Sequence, residues 1–283
     1  MLGLRASRHH PAGPVPFLHL VVLAVVQGIT EFLPISSSAH LVLLPVVTGW
    51  ADQGLVIDVA AHFGSLAAVV AYFWRDIVRL AAGFFRLVGG RATPEGRMAI
   101  FILVATIPAV AMGLAIKAVW PEGIRSPLVI GINAVVFGVL LYLADRFGPA
   151  RRGMMDLGLG GAFLVGCAQA LALVPGTSRS GVTMTAARFL GLHRTEAARF
   201  SFLLSVPAVA GASLLEGMEL YESGDVALAA DAAWSAGLTF LSSILAIAWL
   251  MRWLRTSSFT PFVVYRVILG IILLAWLAIG APA

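Results

Sequence analysis

Residues 27–40 read QGITEFLPISSSAH and interrupt the apolar segment Phe17 to Val47 with a carboxylate, three serine hydroxyls and an imidazole. A second apolar segment, Leu157 to Leu192, is interrupted by PGTSRSG at residues 175–181. The arms beside each interruption are about 10 to 17 residues long, too short for a helix that must cross a hydrocarbon core of about 30 Å. Each segment is therefore predicted to form a re-entrant helical hairpin, which enters and leaves the bilayer by the same face.

Six further apolar runs have the length of a transmembrane helix, about 20 residues. Apolar residues make up 60% of the 283 positions and charged residues 12%, which is too apolar for a water-soluble domain. The predicted fold is an all-α polytopic membrane protein with six transmembrane helices and two re-entrant hairpins. The six runs are Leu55 to Trp74, Met98 to Val119, Leu128 to Ala144, Phe200 to Leu215, Ala233 to Met251 and Phe262 to Ile279.

The order of these segments predicts an internal repeat within a single membrane domain, residues 1–283. A hairpin and three spans at about 17–146 are followed by a hairpin and three spans at about 157–280. Because three is an odd number of crossings, the second repeat must be inverted relative to the first. Residues 107–111 also resemble residues 206–210, at an offset of 99, which we interpret as local similarity between proline-bearing helices.

The arginines are distributed unequally between the two predicted faces. The loops of one face hold 13 arginines, whereas the other face holds Arg5, Arg8, Lys117, Arg125 and the acidic run from Glu216 to Asp231. Positive residues collect on the cytoplasmic side, so the arginine-rich face is predicted to be cytoplasmic and both termini to be outside. The two amino-terminal arginines run against this orientation. The arginine-rich loops are Arg75 to Arg97, Asp145 to Asp156, Arg188 to Arg199 and Arg252 to Arg255.

Several other classes of protein do not fit the composition. The net charge is +5, but the cations are scattered arginines without interleaved aromatics, so no nucleic-acid partner is predicted. Cys167 is the one cysteine, which leaves neither a disulfide nor a thiolate metal cluster. The stretch Phe17 to Val26 resembles a signal peptide, but no small-residue cleavage motif follows and Glu31 comes next. A P-loop motif is absent, which argues against nucleotide-driven work.

The two interruptions carry side chains suited to phosphate chemistry. Gln27 and Glu31 are four residues apart and share one helix face. Arg179 is permanently charged and presents a fixed fork of donors that matches phosphate. Together these groups favour phosphoryl transfer, with help from a hard divalent cation. The hydroxyls that surround Arg179 belong to Thr177, Ser178, Ser180 and Thr183.

At these residues the sequence resembles the undecaprenyl pyrophosphate phosphatase family, also called the bacitracin-resistance family, over nearly its whole length. That family carries an [E/Q]-x-x-x-E motif followed by P-x-S-S-[ST]-x-H, matched here by residues 27–40, and P-G-x-S-R-S-x-x-T, matched by residues 175–183. The resemblance implies inverted repeats with two re-entrant hairpins in the bacterial inner membrane. It implies removal of the terminal phosphate from a C55 lipid pyrophosphate, which recycles the carrier for peptidoglycan synthesis and confers bacitracin resistance. A divalent cation, Mg²⁺ or Ca²⁺, and reaction at the outer, periplasmic face are also implied.

Roles follow from the same resemblance, position by position. Glu31 would bind the metal or act as base, and Arg179 would hold the pyrophosphate. His40 would act as acid, base or nucleophile, and Ser37 is the hydroxyl most often suspected as nucleophile. Gln27 departs from the many relatives that have Glu there, and is therefore predicted to orient the substrate rather than to bind metal. The remaining phosphate-cradling residues would be Ser36, Ser178, Ser180 and Thr183.

The mechanism predicted from these residues places the lipid tail between helices and the pyrophosphate in a polar pocket open to the outside. Ser37, His40 or a water would attack the terminal phosphorus. An alternative function is a polyprenyl-phosphate transporter or flippase, since inverted repeats with broken helices are also a transporter architecture. A metal-ion or proton channel would need more acidic residues within the membrane than this sequence has. The sequence does not decide the oligomeric state, for which a homodimer is one candidate.

A different lipid phosphatase family pairs P-S-G-H with a later S-R-x₅-H motif. Residues 38–40 and 178–179 resemble parts of it. The second histidine of that motif has no counterpart, because the next histidine after Arg179 is His193, in a predicted cytoplasmic loop.

Overall fold

The computed structural model describes residues 16–50, 55–119, 126–223 and 226–279, and these contain eleven α-helices, one short 3-10 helix and no strand. The all-α class predicted from composition is therefore confirmed for the described residues. The helices are α1 (Phe17–Thr30), α2 (Ser37–Thr48), α3 (Leu55–Tyr72), α4 (Trp74–Val88), α5 (Pro94–Val119), α6 (Pro127–Phe147), α7 (Leu159–Leu171), α8 (Arg179–Phe189), α9 (Arg194–Ser223), α10 (Val226–Trp253) and α11 (Thr260–Ala278).

The long helices have the length and composition of membrane spans. Four of them, α5, α6, α10 and α11, each meet this criterion alone, and α3 meets it together with α4. Large apolar side chains point away from the bundle, for example Leu114 with 60% and Ile272 with 61% of its surface exposed. Such exposure suits contact with lipid rather than water. The protein is therefore a multi-pass membrane protein.

Each of the six predicted spans falls on a helix, namely α3, α5, α6, α9, α10 and α11. The span predicted from Phe200 to Leu215 lies within α9, whose side chains from residue 212 onward are outside the described set. Arg5 and Arg8, on which the predicted position of the amino terminus depends, also lie outside the described residues.

Helix α4 corrects one prediction. A loop is predicted for residues 75–97, but residues 74–88 form a helix that bends by 80° from α3 at Phe73. Its apolar side chains recur at helical spacing, and Leu80 packs into the core. Gly83 allows close contact with α5, because a Cβ there would lie 2.6 Å from the backbone nitrogen of Gly96. The arginines of α4 are Arg75, Arg79 and Arg86.

Both interrupted segments form pairs of short helices, as predicted. Helices α1 and α2 are separated by residues 31–36, and α7 and α8 by residues 172–178. Each break ends in a serine with positive φ, 76° at Ser36 and 69° at Ser178, and no other non-glycine residue in the described ranges has this conformation. These two serines are 142 residues apart. The two breaks therefore have the same local construction.

Helices from the first half of the chain pack against helices from the second half. Helix α1 packs along α10 of the second half, and α7 packs along α5 of the first half. Helix α3 contacts α9, and α6 contacts α11, so corresponding helices meet at the centre. The main core cluster includes Phe32, which follows α1, and Phe202 of α9, whose rings meet edge to face at 5.3 Å. This arrangement brings the two breaks together inside the bundle.

Candidate active site

The Glu31 carboxylate is the centre of a buried polar network that joins the two breaks. Ser37 Oγ donates a hydrogen bond to Glu31 Oε2 over 2.7 Å, and Gln27 Nε2 donates to the same oxygen over 3.0 Å. Arg179 Nη2 donates to Glu31 Oε1 over 2.6 Å, across 148 residues of sequence. The Glu31 side chain is only 7% exposed. These four predicted site residues are thus brought together in one place.

Local geometry explains how each of these side chains reaches the carboxylate. Gln27 and Glu31 are one helical turn apart, which places them on the same face of α1 and its carboxyl-terminal extension. Ser37 is the first residue of α2, and Arg179 is the first residue of α8. Each follows directly on a positive-φ serine, which turns the chain so that the first side chain of the new helix points back at the break. The two reactive positions are therefore equivalent positions of the two breaks.

Arg179 has donor capacity left over after it binds Glu31. Its Nη1 atom is buried and has no hydrogen-bond partner among the described residues. A buried guanidinium nitrogen without an acceptor costs free energy, which an anion in the site would recover. Arg179 also stands in the first turn of α8, where the helix dipole favours negative charge. Both features suit a phosphate group.

The predicted phosphate-cradling hydroxyls bond mainly to the protein itself. Ser178 Oγ caps α8 by accepting from Gly181 N over 3.1 Å, and Ser36 Oγ accepts from Ala39 N over 3.4 Å. Ser180 Oγ donates to the carbonyl oxygen of Leu33 over 3.0 Å, which ties the second break to the first. These contacts hold the breaks in shape, and a direct role in binding phosphate stays a prediction.

Thr183 lies deeper in the bundle than the other predicted hydroxyls. It is fully buried, donates to the Arg179 carbonyl over 2.8 Å and lies 2.6 Å from the hydroxyl of Ser201 on α9. Thr183 therefore anchors the first turn of α8 against α9. Ser201 was not singled out from the sequence, where it is one serine within an apolar run.

His40 faces away from the Glu31 network. Its Nδ1 lies 2.7 Å from the carbonyl oxygen of Ser36, and its Nε2 lies 2.5 Å from the hydroxyl oxygen of Tyr265 on α11. A carbonyl can only accept, so Nδ1 carries the proton, and in the neutral ring Nε2 accepts from Tyr265. The two rings are nearly parallel, with centroids 5.7 Å apart. Both nitrogens of His40 are thus already engaged.

Arg266 of α11 is a second guanidinium at the breaks, and it lies outside both polar motifs of the sequence. It is fully buried, donates from Nη2 to the carbonyls of Gly176 and Thr177 over 3.0 and 2.8 Å, and reaches Pro34 O from Nη1 over 3.5 Å. It has no carboxylate partner in the described part of the chain. A lone arginine inside a predicted apolar span is a recognisable signal, since intramembrane charges usually serve a site.

Two further side chains escaped notice in the sequence. Asn133 Nδ2 of α6 donates to the carbonyl of Pro175 over 2.9 Å and so helps Arg266 to hold the second break. His62 Nε2 of α3 lies 3.8 Å from Glu31 Oε2, while its Nδ1 lies 2.7 Å from the Asp58 carbonyl. Both occupy apolar runs far from the two motifs, where only the folded chain reveals their position.

The charges at the breaks do not cancel. Glu31 offsets one guanidinium, that of Arg179, and leaves Arg266 as an uncompensated buried cation nearby. No cluster of three or more His, Cys, Asp or Glu side chains suited to a metal occurs among the described residues. A site with this balance of charge favours an anion, and any cation in it would need ligands from that anion.

The sequence comparisons agree with this chemistry. A family model described as "Bacitracin resistance protein BacA" matches residues 20–272. The chain is 49% identical over 260 residues to a protein named undecaprenyl-diphosphatase from Roseobacter denitrificans, covering 91% of this chain and 97% of that protein. It is 48% identical over 273 residues to a protein of the same name from Hahella chejuensis, covering 93% and 99%. Since these matches include both breaks and nearly all of the helical bundle, the chain belongs to the bacitracin resistance protein BacA family.

Proposed function

We propose that this protein hydrolyses undecaprenyl pyrophosphate to undecaprenyl phosphate and inorganic phosphate. This reaction returns the lipid carrier to peptidoglycan synthesis and confers resistance to bacitracin. The name undecaprenyl-diphosphatase, carried by relatives about half identical to this chain, supports it. The structural observation that carries the proposal is the buried Glu31 carboxylate, which holds a hydroxyl and a guanidinium from the two breaks at 2.7 and 2.6 Å.

The pyrophosphate is bound by charge that the protein leaves uncompensated. Arg179 directs the unpartnered Nη1 at the incoming phosphate, and Arg266 adds a second buried positive charge behind the second break. Catalysis of phosphoryl transfer depends mostly on positioning and on stabilising charge on the equatorial oxygens. A pair of fixed, buried guanidinium groups serves both purposes.

Ser37 is the nucleophile in this proposal, with Glu31 as its base. The Ser37 hydroxyl already donates to Glu31 Oε2, so the proton has a defined acceptor when Oγ attacks the terminal phosphorus. The P–O bond to the bridging oxygen breaks, and undecaprenyl phosphate leaves. A water then cleaves the phosphoserine to release phosphate and restore the hydroxyl. An acid/base role for His40 requires that its Nε2 exchange Tyr265 for the substrate, since both ring nitrogens are engaged in this structure.

The proposed cation is Mg²⁺ or Ca²⁺, held by Glu31 together with oxygens of the pyrophosphate and water. Mg²⁺ in particular is commonly bound through one or two carboxylates plus substrate phosphates. The single acid of the site is consistent with that mode of binding. When bound, the cation would supply further neutralisation of the pyrophosphate charge.

The proposed membrane arrangement has six transmembrane helices and two re-entrant hairpins, in two inverted repeats. The equal construction of the two breaks, 142 residues apart, supports the repeat. The short helices support the hairpins, since α1 and α2 have 14 and 12 residues and α7 and α8 have 13 and 11. The arginine count supports a cytoplasmic face made by residues 75–97, 145–156, 188–199 and 252–255, with the active site open to the periplasm and both termini outside.

A phosphate-release assay tests the proposed function. Purified protein in detergent should release inorganic phosphate from a polyprenyl pyrophosphate, leave the matching monophosphate intact, and lose activity when a chelator removes divalent cations. A series of Mg²⁺, Ca²⁺ and Mn²⁺ additions identifies the cation. Folded protein that releases no phosphate with any of these cations would contradict the proposal.

A further inference from the structure

A cavity of about 490 Å³ lies at the end of the bundle where α6 and α8 end and α9 begins. It is separate from the Glu31 network. Helix α8 leads from one to the other, and its nine-residue step from Arg179 to Arg188 spans about 14 Å at 1.5 Å per residue. None of the residues assigned to phosphatase activity lines this cavity.

The walls of the cavity carry an excess of positive charge. Arg188, Arg194 and Arg255 line it, and Asp145 is the one acid among its described lining residues. Asp145 is already satisfied, because its Oδ1 accepts from Arg194 Nε over 2.6 Å and its Oδ2 accepts from the backbone nitrogen of Phe259 over 3.1 Å. Of the three guanidinium charges in the wall, two therefore have no acidic counterpart among the described lining residues.

Arg188 is a buried, immobilised guanidinium in this wall. Its residue surface is only 2% exposed, and its terminal nitrogens donate to the carbonyls of Leu192, Asp145 and Gly148. Its Nε lies 3.4 Å from Asp145 Oδ1 but makes no hydrogen bond. Asp145 and the three carbonyls compensate this charge, so Arg188 is a fixed part of the cavity wall.

The start of α9 adds backbone donors. Arg194 and Thr195, the first two residues of this 30-residue helix, both line the cavity. The first N–H groups of a helix have no partner within it, and the helix dipole makes this end favourable for anions. Helix starts flanked by arginines are common phosphate sites.

An adjoining groove of about 780 Å³ shares Arg194 with the cavity. Trp253, Pro261 and Val264 form an apolar wall of this groove, which is also lined by the hydroxyl-bearing residues Thr256, Ser257, Ser258 and Thr260. Val264 and, one turn further along α11, Ile268 are about half exposed, at 49% and 51%. A charged cavity beside a groove with an apolar wall suits a phosphate group that carries an apolar chain.

We propose that this cavity is a second anion site, which takes a phosphate group carried by a lipid or free in solution. Arg188 and Asp145 form its fixed floor, Arg194 and Arg255 contact the phosphate oxygens, and the groove beside Trp253 accepts an acyl or prenyl chain when there is one.

The site can be measured by phosphate binding to full-length protein that carries Arg179→Ala, so that the active site contributes little. The probes are inorganic phosphate, dioctanoyl phosphatidic acid and, as a lipid without phosphate, dioctanoylglycerol. The test variant adds Arg194→Gln and Arg255→Gln, which leave Asp145 paired with Arg188. The control adds Arg252→Gln, which matches the single change Arg255→Gln in charge, because Arg252 is also exposed at the end of α10 but does not line the cavity.

We expect the test variant to bind the phosphate probe at least about tenfold more weakly, and the control to change less than about twofold, because guanidinium–phosphate bonds are charge-assisted. The Arg255 side chain has no hydrogen bond or ion pair in the described structure. Arg255→Gln alone should therefore reproduce part of the loss of phosphate binding without affecting the fold. Preference for phosphatidic acid over inorganic phosphate assigns the site to a lipid head, and equal affinity assigns it to free phosphate. The proposal is overturned if neither phosphate probe binds, if dioctanoylglycerol binds equally well, or if Arg252→Gln weakens binding as much as the test variant.

Discussion

Glu31 shows how one residue can make two distant parts of the chain interdependent. Its two oxygens accept from Arg179, Ser37 and Gln27, so the carboxylate determines where the guanidinium and the hydroxyl stand. Removing one member of a buried ion pair leaves a charge without a partner, at a cost of about 3 to 5 kcal/mol. Changes at Glu31 or Arg179 should therefore disturb both stability and activity, whereas changes at the uncharged partner Ser37 leave the ion pair in place and can separate the two effects.

Arg179→Ala is the sharpest change to the phosphate-holding side. Losing a charge aimed at the transferred phosphate should lower the rate of phosphate release by about 100-fold or more. Arg179→Lys should recover only part of the activity, since an ammonium lacks the planar fork of donors. The measurement is phosphate release by purified protein, with Arg75→Ala on the exposed side of α4 as a control of equal charge change. A near-normal rate for Arg179→Ala would remove Arg179 from the mechanism.

Ser37→Ala tests the proposed nucleophile. Without Oγ the attack on phosphorus is lost, so phosphate release should fall by about 100-fold or more, the scale typical of a missing catalytic group. The control is Ser38→Ala, which removes a neighbouring exposed hydroxyl that lies 3.2 Å from the hydroxyl of Ser36. Incorporation of labelled phosphate into protein offers a direct view, because only a serine nucleophile forms a phosphoserine.

The alternative attackers give a different result. If Ser37→Ala keeps a substantial rate, the attacking group is a water or His40, and Glu31 acts as base for that group instead. Labelled phosphate on His40 would then separate these two cases, since a water nucleophile leaves no phosphate on the protein.

The helical elements differ in how visible they are in the sequence. Both breaks were predicted because proline, serine and charged residues stand out in an apolar background, and α5 and α11 because their runs are long and uniform. Helix α4 was missed because its four charged residues resemble a loop unless they are placed on a helical wheel. The tight contact of α4 with α5 through Gly83 and Gly96 stabilises the helix. This is a tertiary contact, which the local sequence does not reveal.

The residues of the candidate site also differ in how visible they are in the sequence. Glu31, Ser37 and Arg179 could be predicted because each lies inside a dense polar motif. Arg266 lies 235 residues after Glu31 in an otherwise apolar run, and nothing local indicates that it meets the carbonyls of both breaks. The orientation of His40 toward Tyr265 was equally out of reach, since it depends on how α11 packs beside α2.

The second break depends on glycine at position 176. Gly176 has φ of 86°, and a Cβ there would lie 2.6 Å from the carbonyl oxygen of Ile130 on α6. Gly176→Ala should therefore destabilise the protein by about 2 kcal/mol or more, from backbone strain and overpacking together. Thermal unfolding in detergent measures the effect, and phosphate release should fall with it because Arg179 loses its position.

Gly160→Ala is the matched control for this element. Gly160 lies in α7 with no atom within 4 Å of an added Cβ, and its φ is not positive. Alanine is the better helix former, so this change should leave the free energy of unfolding unchanged or raise it by about 0.5 to 1 kcal/mol. The melting temperature should accordingly be unchanged or higher. A Gly176→Ala variant as stable as Gly160→Ala would show that the second break does not pack on α6 as described.

At the scale of the whole molecule, helices of one half pack against helices of the other, so neither half can form the bundle alone. Helix α1 needs α10 and α7 needs α5, so the first break is shaped by the second half and the second break by the first. The site is built at the one place where both sets of contacts meet. The proposed access from the periplasm depends on how the bundle is oriented in the membrane.

The proposed orientation can be tested with the single native cysteine removed. In a Cys167→Ala background, Ala92→Cys and Ala118→Cys place a thiol just before the start and near the end of α5, both at exposed positions. The 26 residues of α5 extend about 39 Å, enough to separate the two positions across a bilayer. In intact cells a membrane-impermeant maleimide should label Cys at 118, and should label Cys at 92 only after the inner membrane is permeabilised.

The Cys167→Ala protein alone should take up no label under either condition, and both cysteine variants should still release phosphate. The arginine distribution predicts this result because the loop after α4 carries Arg91 and Arg97, which favour the cytoplasm. Labelling of position 92 and not position 118 in intact cells would invert the bundle and place the Glu31 site toward the cytoplasm. The arginine-lined cavity at the end of α8 would then face the periplasm, so this one measurement orients both sites.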